Sequence, residues 1–183
     1  VDIQDSIERI GKYAFAECTN LEELKFSNNL HTIEEGAFKN CISLKKVHIP
    51  SSIKDIGIGA FAGCRNIESF SGHHVTKDGR CVIIDGTLVA FAPKGLSEYA
   101  IPMGVKKIED FALSLYGDCK IKITFPSSLN TIGKCALFGS NFVFNIEYFL
   151  NRIEEINDNY ICYSYDELKN RGLFDKIVYN EEG

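Results

Sequence analysis

The chain lacks most of the features that assign a sequence to a ready class. No block of lysine and arginine appears, and the 183 residues carry a formal charge of −5. Affinity for a phosphate backbone comes from clustered basic side chains that release counterions, so the balance argues against a nucleic-acid partner. No apolar stretch approaches the about 20 residues that a bilayer-spanning helix requires; Cys81-Val-Ile-Ile is ended at once by Asp85 and Gly86. A basic start followed by an apolar segment is missing too, and no signal peptide is expected in these residues. The seven cysteines include no C-x-x-C pair of the kind zinc uses, and an odd number cannot pair completely within one chain. The two Asp-Gly pairs lack the D-x-D-x-D-G spacing of a calcium loop and read as turns. No metal or other cofactor is expected.

What is present is a core and a period. With 45% hydrophobic and 25% charged residues, the composition is that of a soluble globular protein able to bury substantial apolar surface. The segment Ile10-Gly-Lys-Tyr-Ala-Phe-Ala-Glu-Cys returns as Ile33-Glu-Glu-Gly-Ala-Phe-Lys-Asn-Cys and as Ile56-Gly-Ile-Gly-Ala-Phe-Ala-Gly-Cys, a spacing of 23 residues. A unit this short cannot bury its own apolar face and must stack on copies of itself. The expected product is a solenoid whose broad surface favours binding over chemistry. Val1 to Ile10 aligns with Val47 to Ile56, so the chain is expected to open partway through a repeat, as a fragment of a longer protein does, without the polar cap a first repeat needs.

Other apolar positions return in phase: Phe15, Phe38 and Phe61; Leu21, Leu44 and Ile67; Leu24, Val47 and Phe70; Ile7, Leu30 and Ile53. Leu21-x-x-Leu24-x-Phe26 ends in the alternation of a short strand, while Gly36-Ala37-Phe38 and Gly59-Ala60-Phe61 suit a helical turn. One parallel strand and one helical turn per repeat are therefore expected. Pro50, Pro102 and Pro126 follow the strand residue, where a residue without an N–H ends sheet pairing at little cost. The pattern breaks after Phe70 and resumes at Tyr99-Ala-Ile101-Pro102. Between them, Arg80–Ile84 and Thr87–Phe91 flank Asp85-Gly86, a dipeptide with ready access to positive φ, and predict an inserted β-hairpin within about residues 71–98. The insertion is expected to protrude from the stack. The solenoid is expected to occupy residues 1–140, with a degenerate last repeat and C-terminal cap at 141–183 covering its end.

These residues resemble the BspA-like leucine-rich repeats, whose pattern runs Ile-Gly-x-x-Ala-Phe-x-x-Cys-x-x-Leu-x-x-Leu/Val-x-Ile-Pro-x-Ser-Val/Leu. The match is close from Ile10 to Phe70 and from Tyr99 to Leu137. The resemblance implies an α/β solenoid, a right-handed leucine-rich repeat stack, in a surface-exposed or secreted bacterial protein associated with adhesion. It supplies no shared catalytic residue. Leu113 and Leu137 in the usual Phe position, and Tyr116 where the aligned Cys stands elsewhere, are departures that weaken the register of the last repeats.

Several residues invite a chemical reading. Cys18, Cys41 and Cys64 stack in one column at about the 4.8 Å interstrand spacing, which suggests a metal ladder or redox relay. Small buried hydrophobes between layers are the stronger account, because thiols are among the most buried groups. His73 and His74, with Cys81 and Asp78, assemble on paper into a Cys–His nucleophile, but sequence supplies neither a base within reach nor oxyanion donors. Glu154 and Glu155 are adjacent and point apart, which is no glycosidase-like dyad.

The sheet face is the better candidate. Side chains alternating with buried Leu24 and Phe26 line the exposed, concave surface: Glu23 and Lys25, Lys46 and His48, Ser69 and Ser71, and later Lys122 and Thr124. The set is mixed in charge and poor in the aromatics that sugar platforms and protein hot spots favour. The leading expectation is a non-enzymatic module binding a protein partner; a structural stalk carrying another domain and a glycan-binding module are the alternatives.

Overall fold

A computed structural model of the chain describes residues 1–115 and 121–138. The expected boundary near residue 140 and the C-terminal cap lie outside the described residues.

Parallel pairing across rungs builds the stack, and each rung contributes to two strand columns where sequence periodicity indicates one. The first column holds β1 (Arg9–Ile10), β3 (Thr32–Ile33) and β5 (Asp55–Ile56), paired in register so that Ile10, Ile33 and Ile56 align. The second holds β2 (Glu23–Leu24), β4 (Lys46–Ile49) and β6 (Ser69–Gly72), with Leu24, Val47 and Phe70 in line. Strands of two residues offer too little alternation to read, which is why the first column is hidden in the sequence.

The expected helical turn is replaced by a third column, made of turns. Among the described residues no helix forms. Ala14, Ala16 and Cys18 donate amides to the carbonyls three residues back, at Gly11, Tyr13 and Phe15. The intervening amides of Tyr13, Phe15 and Glu17 leave the rung and donate to Glu35, Ala37 and Lys39 of the next. Diverting every second amide sideways rules out the continuous ladder a helix needs. The diversion requires left-handed backbone at recurring positions, seen at Tyr13, Gly36, Gly59 and Phe111 and again at Glu17, Asn40 and Gly63.

Inside the stack, Phe15, Phe38 and Phe61 lie ring on ring, with centroids 5.3 and 5.4 Å apart and planes within 6° and 10° of parallel. Phe26 and Phe70 abut this stack at steeper angles. Beyond the insertion the column turns aliphatic at Leu113 and Leu137, and these two departures from the repeat pattern are absorbed without loss of burial; Tyr116 lies outside the described residues. The prolines act as read from sequence: β4 stops at Ile49, and the Pro50, Pro102 and Pro126 carbonyls accept the amides of Ile53, Val105 and Leu129 to close each corner. Ser52 and Ser128 hydroxyls donate to the Leu30 and Val105 carbonyls of the preceding rung, at 2.6 and 2.8 Å.

The insertion contains an antiparallel hairpin of β7 (Cys81–Ile84) and β8 (Thr87–Phe91), joined through Asp85 and Gly86 at φ 49° and 78° as the dipeptide predicts. It does not protrude. β8 pairs in parallel with β10 (Lys107–Ile108), which pairs with β12 (Thr131–Ile132). The amides of Lys106 and Glu109 donate to the carbonyls of Gly86 and Leu88 just as those of Lys54 and Gly57 donate to His31 and Ile33. The hairpin thus stands in for a rung. β9 (Glu98–Ala100) and β11 (Lys122–Thr124) continue the other column. Val82, Val89 and Ala92 face the core of the first block, while Cys81, Leu88 and Phe91 face the core of the second. On the turn side the blocks still meet directly, where the Gly63 amide donates to Ser114 at 2.7 Å.

Arg80 locks this seam. Its Nη1 donates toward the carbonyls of Glu68, Ala92 and Lys94 at 2.9, 3.2 and 3.0 Å. The Glu68 carbonyl occupies the place where, one rung earlier, Lys45 accepts from the Glu68 amide, so the guanidinium substitutes for a missing rung. Replacing Phe38 by Ala is expected to cost about 3–5 kcal/mol, since it empties the middle of the ring stack. Arg80→Ala is expected to cost about 1.5–3 kcal/mol by stranding carbonyls at the seam. Urea unfolding of both variants checks these values, and Arg80→Lys, with no planar fork, should recover only part of the loss.

Candidate functional site

The outward face of the second column is built by the pleat. With Leu24, Val47 and Phe70 committed to the core, their neighbours must point away from it. Glu23, Lys46 and Ser69 form one row across β2, β4 and β6, and His48 and Ser71 pair in the next. Lys25 joins the second row, and its register partner on the outer side is Asp2, which sequence reasoning missed because a single bridge leaves no alternation. Glu23, Lys25, Lys46, His48 and Ser71 line a shallow depression of about 300 Å³ beside the Val1 and Asp2 backbone. Lys122 and Thr124 are exposed as expected, but on β11, opposite Glu98 and Ala100 of β9 and in a separate ladder.

Some charges along the stack are paired between rungs and others are not. Arg9 with Glu34, Lys12 with Glu35, and Lys45 with Glu22 form ion pairs between rungs at 3.2, 3.0 and 2.8 Å. Lys25 and Lys46 make no ion pair among the described residues. His48 Nδ1 lies 3.1 Å from the Ser71 hydroxyl, a hydrogen bond whose direction follows the imidazole tautomer. Gly72, at φ 97°, lets the imidazole lie over the strand end: a Cβ there would sit 2.8 Å from His48 Cε1 and against the Ile49 carbonyl oxygen. The arrangement grades from acidic Asp2 and Glu23, through basic Lys25, Lys46 and His48, to the neutral hydroxyls of Ser69 and Ser71. It offers donors and charge to a ligand.

The cysteines lie away from this face. Cys41 and Cys64 are buried, and their thiols donate to the Phe15 and Phe38 carbonyls of the preceding rung at 3.1 Å each. Burial pushes the Cys64 thiol well up. Cys18, in the same column, is exposed. His73 and His74 meet edge to face, with ring centroids 4.0 Å apart and planes at 67°, while Cys81 finds a different partner. Its thiol donates to the Tyr99 hydroxyl at 3.5 Å, and that hydroxyl donates to Asp78 Oδ2 at 3.0 Å. Burial pushes the Cys81 thiol up to about 12, so it is not a thiolate near neutral pH. Burial pushes the Asp78 carboxyl up as well, yet hydrogen bonds from the Thr76 hydroxyl, the Arg80 amide and the Tyr99 hydroxyl outweigh it and hold the group below its ordinary value. The Cys–His nucleophile read on paper is therefore replaced by a Cys–Tyr–Asp arrangement that ties the insertion to β9. No group of three or more His, Cys, Asp or Glu placed to hold a metal occurs among the described residues. Glu154 and Glu155 lie outside them.

Ladders of short parallel strands, a column of stacked turns and an in-phase apolar core define a leucine-rich repeat solenoid. The chain belongs to the BspA type leucine rich repeat region family, whose pattern matches residues 1–78 and 88–179 in six copies. Among solved structures it is similar to a leucine rich cell surface protein from Faecalibacterium prausnitzii A2-165, at 21% identity and a TM-score of 0.59, over 79% of this chain and 41% of that one. It is also similar to the pneumococcal vaccine antigen PcpA, at 20% identity and a TM-score of 0.55, over 75% and 36% of the respective chains. The chain spans about two fifths of the length of these neighbours. No curated protein matches it. Among the described residues no helix is long and apolar enough to cross a membrane.

Alkylation with iodoacetamide at pH 8 should label Cys18 in the native protein, whereas Cys41, Cys64 and Cys81 should react only after denaturation. Peptide mass spectrometry of native and unfolded samples reads this directly.

Proposed function

We propose that this chain is a non-enzymatic interaction module of a surface-exposed or secreted bacterial protein, and that the outward face of β2, β4 and β6 receives a protein partner. The observation that carries this reading is the in-register placement of Glu23, Lys46 and Ser69 beside Lys25, His48 and Ser71 on a ladder held rigid by the core beneath it. Lysines that make no ion pair among the described residues, set next to carboxylates, suit a partner of mixed charge, because complementary potentials set orientation and association rate more than affinity. The family, and the description of one structural neighbour as a cell surface protein, support the surface location. Adhesion is the biological form such binding would take.

A second reading, a stalk that spaces another domain, is favoured by the seam: buried hairpin residues weld the two blocks of repeats, and a stiff rod is what a spacer requires. The two separate in a binding screen against extracellular-matrix proteins and mucins, with Glu23, Lys25, Lys46 and His48 replaced together by alanine in a second sample. All four lie on the exposed face, so the variant should melt within a few degrees of the parent. Binding by the parent and its loss in the variant is the expected result. Absence of binding by both proteins would support the stalk.

A further inference from the structure

The column of turns carries a feature that the repeat itself does not need. At the position where the second and third repeats place Gly36 and Gly59, with φ of 60° each, the first places Tyr13 and the one after the insertion places Phe111, with φ of 56° and 60°. Left-handed backbone is uncommon for a bulky residue and costs about 1 kcal/mol or more. The last described repeat places Cys135 here, with φ of 51°; the other two side chains that bear the cost, Tyr13 and Phe111, are aromatic, and each borders a glycine. A Cβ added at Gly36 would collide with Tyr13 Cδ1 and Cε1, and one added at Gly59 would come within 3.3 Å of Phe111 Cβ and 3.7 Å of its Cγ. The Tyr13 ring therefore rests on Gly36 of the next rung, in the space a side chain there would take.

Tyr13 is held there at both ends. The backbone fixes one, and at the other the phenol donates to Glu35 Oε1 at 2.7 Å. The residue is nevertheless 49% exposed. A flat ring fixed against backbone and open to solvent is a pre-ordered platform whose conformational cost of binding has already been met by folding. From these observations we propose that the turn column, and not the sheet face, holds a carbohydrate site, in which the Tyr13 ring, with Phe111 further along the stack, receives the apolar C–H face of a neutral sugar.

Charge around the ring selects this ligand class. Both Glu35 oxygens are engaged, one by the Tyr13 hydroxyl and the other by Lys12 Nζ at 3.0 Å. A cation seeking the ring face would meet the Lys12 ammonium without a free carboxylate to offset it. An anion would meet Glu34 and Glu35. A neutral ligand with apolar faces and hydroxyl edges meets no such penalty, and the Lys12 and Glu35 groups are positioned to exchange hydrogen bonds with those hydroxyls. Apolar area here is broken up by Lys12, Glu34 and Glu35, unlike the contiguous patch that protein docking requires. The spacing of glycine rungs, about 4.8 Å, places successive contacts along the stack and suits a short oligosaccharide lying parallel to it.

This site is independent of the sheet face, and its test is arranged to keep the two apart. Linear neutral gluco-, galacto- and manno-oligosaccharides, in α and β linkage, are titrated into the full chain and followed by NMR chemical-shift changes and tyrosine fluorescence. Tyr13→Gly restores the residue used at this position by two sister repeats, so it is expected to fold. Tyr13→Phe removes only the Glu35 bond, and Lys46→Ala with His48→Ala alters only the sheet. The expected result is binding of at least one oligosaccharide, weakened tenfold or more by Tyr13→Gly, weakened less by Tyr13→Phe, and unchanged by the sheet variant. Phe111→Gly should weaken the longer oligosaccharides more than the disaccharides. Failure of every oligosaccharide to bind, or binding that survives Tyr13→Gly, overturns the proposal; a lysine-rich or acidic peptide that competes for Tyr13 in place of the sugars does so as well.

Discussion

Everything in this molecule depends on the distance between rungs. Parallel pairing sets that distance at about 4.8 Å, and a side chain in one rung then has the equivalent residue of the next as its nearest neighbour. Apolar columns deepen at each rung, as Phe15, Phe38 and Phe61 do, and a polar group tolerated in one rung must find a partner in the adjacent one. The cross-rung serine and cysteine bonds to backbone carbonyls are the local expression of that rule. So is the turn column, where half the amides leave their own rung to hold the next.

The insertion shows how the constraint is kept when the period fails. A loop bulging from the stack would leave the last carbonyls of one block and the first amides of the other without partners, at a cost of about 1–3 kcal/mol for each buried group left unsatisfied. Instead β8 presents a strand to β10, and the Arg80 guanidinium serves carbonyls that a regular rung would have served. Buried side chains on the two faces of the hairpin enter the two cores. The Cys81, Tyr99 and Asp78 arrangement belongs to the same joint, where it ties the insertion to β9.

Because the core takes every inward position, function is left to the outward ones, and there the columns differ. The sheet face combines charge and hydroxyls in register and lacks aromatics. The turn column has an aromatic ring laid flat on glycine. A single repeat module therefore presents two outward surfaces of different chemistry.

By itself the sequence determined the stack. In-phase Ile, Phe, Cys and Leu positions allow no other way of burying apolar area, and Asp85-Gly86 dictated a tight hairpin through its access to positive φ. It also determined which residues of β2, β4, β6 and β11 face outward, since alternation in a strand leaves no choice once Leu24, Val47, Phe70 and Ile123 are buried. Tertiary structure decided the rest. Two-residue strands such as Arg9–Ile10 are too short to leave a periodic trace, and the fate of alternate amides in Gly-Ala-Phe, which separates a turn column from a helix, depends on the neighbouring rung. Whether the hairpin projects or fills a layer turns on what lies on both of its faces, and whether Tyr13 is an anchor or a platform turns on the missing side chain of Gly36. Contacts between residues about 20 or more positions apart, such as Thr87 with Lys107 and Tyr13 with Glu35, settle these questions, and no local pattern encodes them.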